Sequence, residues 1–103
     1  MELSITPTTI DDATTVAVCG EVDVSNAAQL RATIDEALEA GVEAIEVDMA
    51  EVPYIDSTGI GVLVGAAHRA EEAGVGFAVA RPQRNVARVF SILGVDGQLN
   101  VRE

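Results

Sequence analysis

Hydrophobic spacing changes period along this chain, and that change narrows the fold more than any other feature. Short runs that alternate, or that are rich in β-branched residues, give way to stretches in which apolar residues recur every three to four positions. Residues 3–6 alternate and predict an edge strand ended by Pro7, with 8–13 as a polar connection. Residues 14–19, Thr-Thr-Val-Ala-Val-Cys, predict a second strand. Ser25 reads as a helix N-cap. Behind it Ala27, Leu30, Ile34 and Leu38 fall at helical spacing, and Gly41 is placed to stop the helix. Residues 44–49 alternate apolar and acidic, as in a strand with one wet face or a strand near a sheet edge. Residues 58–73 predict a second helix stopped by Gly74, and 76–80 a short buried strand. Val86, Val89, Phe90 and Leu93 predict a third helix with Arg84 and Arg88 on its wet side, closed by Gly94, and 99–101 a final strand.

Strands that alternate with helices in this order imply right-handed crossovers onto a mainly parallel sheet. The expected fold is therefore α/β. It has a mixed, mainly parallel sheet of four to five strands with helices packed against it, and the first strand pairs antiparallel at one edge. A chain of 103 residues suits one domain with one modest core, so residues 1–103 are read as a single domain without repeat or linker.

Charge narrows the partners. The formal net charge is −11, with arginine as the only cationic side chain besides the single histidine. Such a chain is repelled by a duplex or an anionic bilayer, which argues against nucleic acid and membrane as partners. Residues 1–56 hold 13 acids and one arginine, net −12, whereas residues 57–103 hold four acids and five arginines, net +1. The first half is thus a solvated acidic face, or an acidic docking surface for a basic partner that would raise association rate more than affinity. No apolar run is long enough to span a bilayer, and the N-terminus lacks a basic-then-apolar export signal. Cys19 has no second cysteine to pair with and is read as a small core residue. These features point to the cytoplasm.

Residues 53–63, Pro-Tyr-Ile-Asp-Ser-Thr-Gly-Ile-Gly-Val-Leu, run from a loop through a cap into an apolar helix. Asp56 and Ser57 are both suited to accept from the unpaired N–H groups of a first helical turn. The bland reading is a polar cap on a buried helix start. The sharper one is a hydroxyl placed where unpaired N–H donors and the positive dipole end would favour a phosphate. With Ile60 at the centre of the core stripe, Leu63, Val64 and Ala67 lie beside it. Thr58, Val62, Ala66 and Arg69 lie roughly opposite, with Gly65 nearby, on a face that another element or a partner must cover. Gly59, Gly61 and Gly65 each weaken a helix by up to ~1 kcal/mol relative to alanine, a cost that suggests close approach by something else.

Enzymatic chemistry lacks its parts. His68 lies about three turns along the same helix from Ser57, too far to take its proton, and Ser57 lacks the first flanking glycine of a nucleophile elbow. One cysteine, one histidine and scattered acids do not make a zinc site, and Gly59-Ile60-Gly61 with Gly65 is not a dinucleotide fingerprint. Asp56 with Asp23 is conceivable as a carboxylate or magnesium pair, but nothing in the sequence fixes their separation. No catalytic residue, metal or cofactor is expected.

Asp56-Ser57-Thr58-Gly59-Ile60-Gly61, Gly20-Glu21-Val22-Asp23 after a strand, and Ala87-Arg88-Val89-Phe90 with Leu93-Gly94 resemble the bacterial anti-sigma factor antagonist family, whose fold is the STAS domain. The resemblance runs over nearly the whole chain, and the Asp-Ser-Thr-Gly-Ile-Gly segment is its most specific part. It implies a partner-switching phosphoprotein of transcription regulation. Unphosphorylated, such a protein occupies an anti-sigma factor serine-protein kinase and frees the sigma factor. Phosphorylation by the kinase releases it, and a serine phosphatase restores it. The phosphoacceptor matches Ser57, with Thr58 as the neighbouring hydroxyl and Asp23 beside it at the kinase interface. The partner-binding surface implied comprises Asp23, Asp56, Ser57, Thr58, Gly59, Gly61 and Val62. The competing implication is a constitutive STAS-domain adaptor subunit of a signalling or transport complex.

Overall fold

The computed structural model describes residues 2–103. Five strands and three helices follow one another as β1 (Ser4–Ile10), β2 (Ala13–Cys19), α1 (Ala27–Glu39), β3 (Ala44–Glu51), α2 (Ser57–Glu72), β4 (Gly76–Ala80), α3 (Arg84–Ile92) and β5 (Val101–Arg102). The sheet order is β1-β2-β3-β4-β5, with β1 antiparallel to β2 and every other neighbour parallel. Each parallel crossover carries one helix and steps the same way along the sheet. Right-handed connections therefore put all three helices on one face. Their inward side chains, among them Leu30, Ile34, Leu63, Val86 and Phe90, form one core with Val16, Val47, Met49 and Val79 of the sheet. The opposite sheet face carries exposed Ala13, Ala17 and Cys19 and half-buried Glu46 and Asp48.

Several local expectations are corrected. Pro7 does not end the first strand, which continues to Ile10. β1 pairs only with β2, so a nitrogen directed away from β2 loses no ladder bond there. Residues 8–13 are not a loop but a hairpin with a two-residue turn. Asp11 and Asp12 both adopt positive φ, 51° and 64°, the twist that suits a tight hairpin. Of the two readings of β3, the one-wet-face reading holds: the strand is central, with one buried face and one half-wet face, and is not near an edge. Cys19 is exposed, not core, because β2 buries Thr14, Val16 and Val18 and turns the intervening residues the other way. The last strand begins at Val101. Leu99 is buried in the turn before it.

The helices differ in their faces. The N-cap of α1 is Asn26, not Ser25. On α2 the buried residues are Gly59, Ile60, Leu63, Ala66 and Ala70, so the core stripe is rotated away from Val64 and Ala67, which are half-buried. Ala66 is fully buried, and α1 packs against α2. Next to Ala66 and Ala70, Arg69 donates from Nε and Nη2 to Asp35 Oδ1 of α1 at 3.1 and 2.7 Å. On α3 only Val86 and Phe90 are buried. Val89 and Leu93, expected in the core, are exposed because nine residues give room for one inward row.

Candidate functional site

Two loops meet at the ends of β2 and β3. Val22 and Ile55 form a short parallel bridge there, with Val22 N–H donating to the Tyr54 carbonyl and Asp56 N–H to the Val22 carbonyl, both at 3.0 Å. Gly20 N–H donates to the Glu51 carbonyl at 3.0 Å, one step earlier. Val22 and Ile55 are buried, so the bridge is both hydrogen-bonded and apolar. It fixes the β2–α1 loop, which carries Asp23, beside the start of α2, which carries Ser57.

Asp56 locks the junction. It is the N-cap of α2 in extended conformation, and its Oδ1 accepts from Gly59 N–H at 3.0 Å. Its Oδ2 accepts from Val24 N–H at 3.2 Å, across from the other loop. One carboxylate thus satisfies a helix-end donor and holds the neighbouring loop. Of the two cap candidates read from the sequence, Asp56 is the cap and Ser57 is the first helical residue.

That assignment leaves Ser57 available. Ser57 and Thr58 are exposed, and among the described residues the Ser57 hydroxyl has no hydrogen-bond partner. Nor do the backbone N–H groups of Ser57 and Thr58, since the first donors engaged are Gly59 to Asp56 Oδ1 and Ile60 to the Asp56 carbonyl. A hydroxyl stands beside two unused donors at a helix start.

The two nearby glycines differ in role. A Cβ on Gly59 would lie 2.7 Å from both Ile55 Cγ1 and Val22 Cγ1, so only glycine lets the first turn of α2 sit on the bridged loops. A Cβ on Gly61 would meet nothing within 4 Å. Gly61 is exposed and lies next to Val62, which is half-buried against the core. The outward surface of this turn is therefore low and smooth around Ser57, Thr58 and Gly61.

Asp23 sits in a tight turn. Its Oδ1 accepts from the Ser25 hydroxyl and from Ser25 N–H, the latter at 2.9 Å, and its own N–H donates to Asn26 Oδ1 at 2.9 Å. Asn26 Nδ2 donates to the Glu21 carbonyl at 2.9 Å and closes the loop. The Ser25 hydroxyl, and then its N–H, hold the Asp23 carboxyl below its ordinary value. Ser25, expected as a helix cap, thus fixes Asp23 instead. Glu2, Glu21 and Asp23 line one shallow depression of ≈ 470 Å³, so this flank is acidic.

Sequence reasoning missed several contributors. On the far side of the β3–α2 loop, Gln83 Nε2 donates to the Ala50 carbonyl at 3.0 Å and Asn85 Nδ2 to the Pro53 carbonyl at 2.8 Å. The loop is thereby held from both sides. Val24 and Tyr54, 75% and 50% exposed, join the same junction through their backbones, Val24 N–H donating to Asp56 Oδ2 and the Tyr54 carbonyl accepting from Val22 N–H. No local pattern marks them, since each acts across the fold. His68 is exposed and faces Glu72 at 3.6 Å on its own helix.

The sheet order, the one-sided helices and the capped helix with an exposed hydroxyl define a class. The chain belongs to the STAS domain family, whose model matches residues 4–103. Its similarities point further, to regulatory proteins. It is 30% identical over 103 residues to the anti-sigma-B factor antagonist of Staphylococcus epidermidis, covering 100% of this chain and 95% of that protein. An anti-sigma factor antagonist from Mycobacterium paratuberculosis has the same fold, with TM-score 0.89 and 21% identity over 98% of this chain and 86% of that one. So does the Bacillus protein SpoIIAA. Its unphosphorylated form gives TM-score 0.80 at 21% identity, covering 97% and 87% of the two chains. Its phosphorylated form gives 0.74 at 20%, covering 97% and 90%. Among the described residues, no helix is long and apolar enough to cross a membrane.

Proposed function

We propose that this chain is an anti-sigma factor antagonist switched by phosphorylation of Ser57. Unphosphorylated, it docks on an anti-sigma factor serine-protein kinase through Asp23, Asp56, Ser57, Thr58, Gly59, Gly61 and Val62, and so frees a sigma factor. Ser57 Oγ then forms a bond to the γ-phosphorus of the kinase's ATP, the bond to ADP breaks, and the hydroxyl proton passes to a base of the kinase. The phosphoprotein leaves, and a serine phosphatase hydrolyses the ester to restore it. The observation that carries the proposal is the division of labour at the cap. Asp56 takes over the capping, which leaves an exposed, unbonded hydroxyl on a smooth helix start beside Asp23.

The energetics suit a switch. A phosphate adds about −1.5 to −2 charges at neutral pH. In the isolated protein, the unused N–H groups of Ser57 and Thr58 and the dipole of α2 favour it by roughly 0.3–1 kcal/mol. In a docked interface the same charge loses water beside two carboxylates, and an uncompensated buried charge costs about 3–5 kcal/mol. At about 1.4 kcal/mol per decade, that weakens binding on the order of a hundred- to a few-thousand-fold. Titration of the kinase with variants tests this. Ser57→Ala should bind in ADP and ATP alike and resist release, and Ser57→Asp should bind weakly in both. Equal, wild-type affinity of both variants under both nucleotides overturns the proposal and favours a constitutive adaptor.

A further inference from the structure

The outer face of α3 is at odds with the rest of the molecule. In a chain of net charge −11, the α3 sequence Arg-Asn-Val-Ala-Arg-Val-Phe-Ser-Ile contains no acid. Arg31 and Arg69 both engage Asp35, and Arg81 engages Asp48. Arg84 and Arg88 are exposed and have no carboxylate within ion-pair distance among the described residues. Arg84, Arg88 and Ile92 follow one another at four-residue spacing, so they form one outward row. Ile92 is 76% exposed, and Leu93 and Val89 beside it are 55% and 37% exposed. Two unpaired cations thus adjoin a cluster of three exposed aliphatic side chains on one helix and its C-cap.

The geometry points to this face as a docking surface for an acidic amphipathic helix of a partner protein. The arginines would meet carboxylates, and Val89, Ile92 and Leu93 would meet the apolar stripe of the same segment. A straight row of this kind fits a helix laid alongside better than a compact ligand. A second copy of this chain is the weaker occupant, since among the described residues its acid-bearing helices α1 and α2 carry no large exposed apolar side chain to meet Val89, Ile92 and Leu93. The surface is separate from the reading of Ser57 and stands or falls without it.

The test uses the full chain, labelled with nitrogen-15. The probe is a synthetic amphipathic helix with leucine on one face and glutamate elsewhere, and the control is the same peptide with lysine in place of glutamate. The acidic probe should shift the amides of residues 84–93 and bind more weakly as salt is raised. Ile92→Glu and the double variant Arg84→Glu/Arg88→Glu should each weaken it about tenfold or more. Both variants alter exposed side chains, so an unchanged melting temperature would show that the fold is intact. Three results would overturn the inference. They are no shift in residues 84–93, equal binding of the lysine peptide to α3, and wild-type self-association in sedimentation that Arg88→Glu abolishes.

Discussion

Asp56 divides its two oxygens between Gly59 N–H on α2 and Val24 N–H on the opposite loop, and this leaves its neighbour Ser57 unbonded. Chemistry at one residue therefore depends on capping by the next. The glycines around them separate packing from docking. Gly59→Ala should destabilise the protein by about 1–3 kcal/mol, since its methyl meets Ile55 and Val22 at 2.7 Å. Gly61→Ala should leave stability unchanged or raise it by about 0.5–1 kcal/mol, because the site is open and helical. It should nonetheless weaken the kinase complex. Urea unfolding reads the first pair of effects, and a binding titration the last. Asp23 offers a second check. Its folded-state pKa is depressed, so its stabilising effect is present above the ordinary carboxylate value near pH ~4 and is lost as pH falls through the lowered one. Ser25→Ala removes the hydroxyl that lowers it most. The carboxyl titration followed by NMR should then shift to higher pH, and an unmoved midpoint would contradict the assignment.

β2, β3, β4 and the three helices were readable from spacing, because each has a clear period and a stop, whereas β1 was placed at an edge but given a false end at Pro7. The residues that face inward were less so. Val64 and Ala67 looked like core on α2 because the periodicity gives an apolar arc but not its centre, and the arc was set by where α1 packs. Ala66 and Ala70 are fully buried and lie next to Arg69, which bonds Asp35 of α1. Ala66→Leu should overpack that helix pair and destabilise it by about 1–3 kcal/mol, measured as a fall in urea midpoint. A stability gain would mean that the gap between α1 and α2 has room for the larger side chain. Pro7 misled for a related reason. Its effect depends on which side of the strand is paired, and the edge position, expected and found, does not by itself say which way the Pro7 nitrogen faces. Val89 of α3 and its C-cap residue Leu93 looked internal on apolarity alone, yet the helix buries only Val86 and Phe90.

In the assembled molecule, Gly20–Asp23 and Asp56–Gly61 are more than thirty residues apart in sequence and yet lie side by side. The motifs could be read separately, but their union could not. It depends on the Val22–Ile55 bridge and on Gln83 and Asn85 reaching across from α3, contacts that have no local signature. The charge asymmetry was fully legible, and the fold keeps acids around Asp23 and unpaired arginines on α3. Membership of the STAS family and likeness to anti-sigma factor antagonists agree with the motifs that suggested them. The proposed switch rests on a reversible phosphate at Ser57. It is tested most directly by phosphopeptide mass spectrometry of the protein isolated from its own cells, growing and stressed. The expected result is phosphate on Ser57, with an occupancy that changes between the two conditions. A peptide bearing Ser57 that stays unmodified in both would contradict it and return that residue to the role of a helix start.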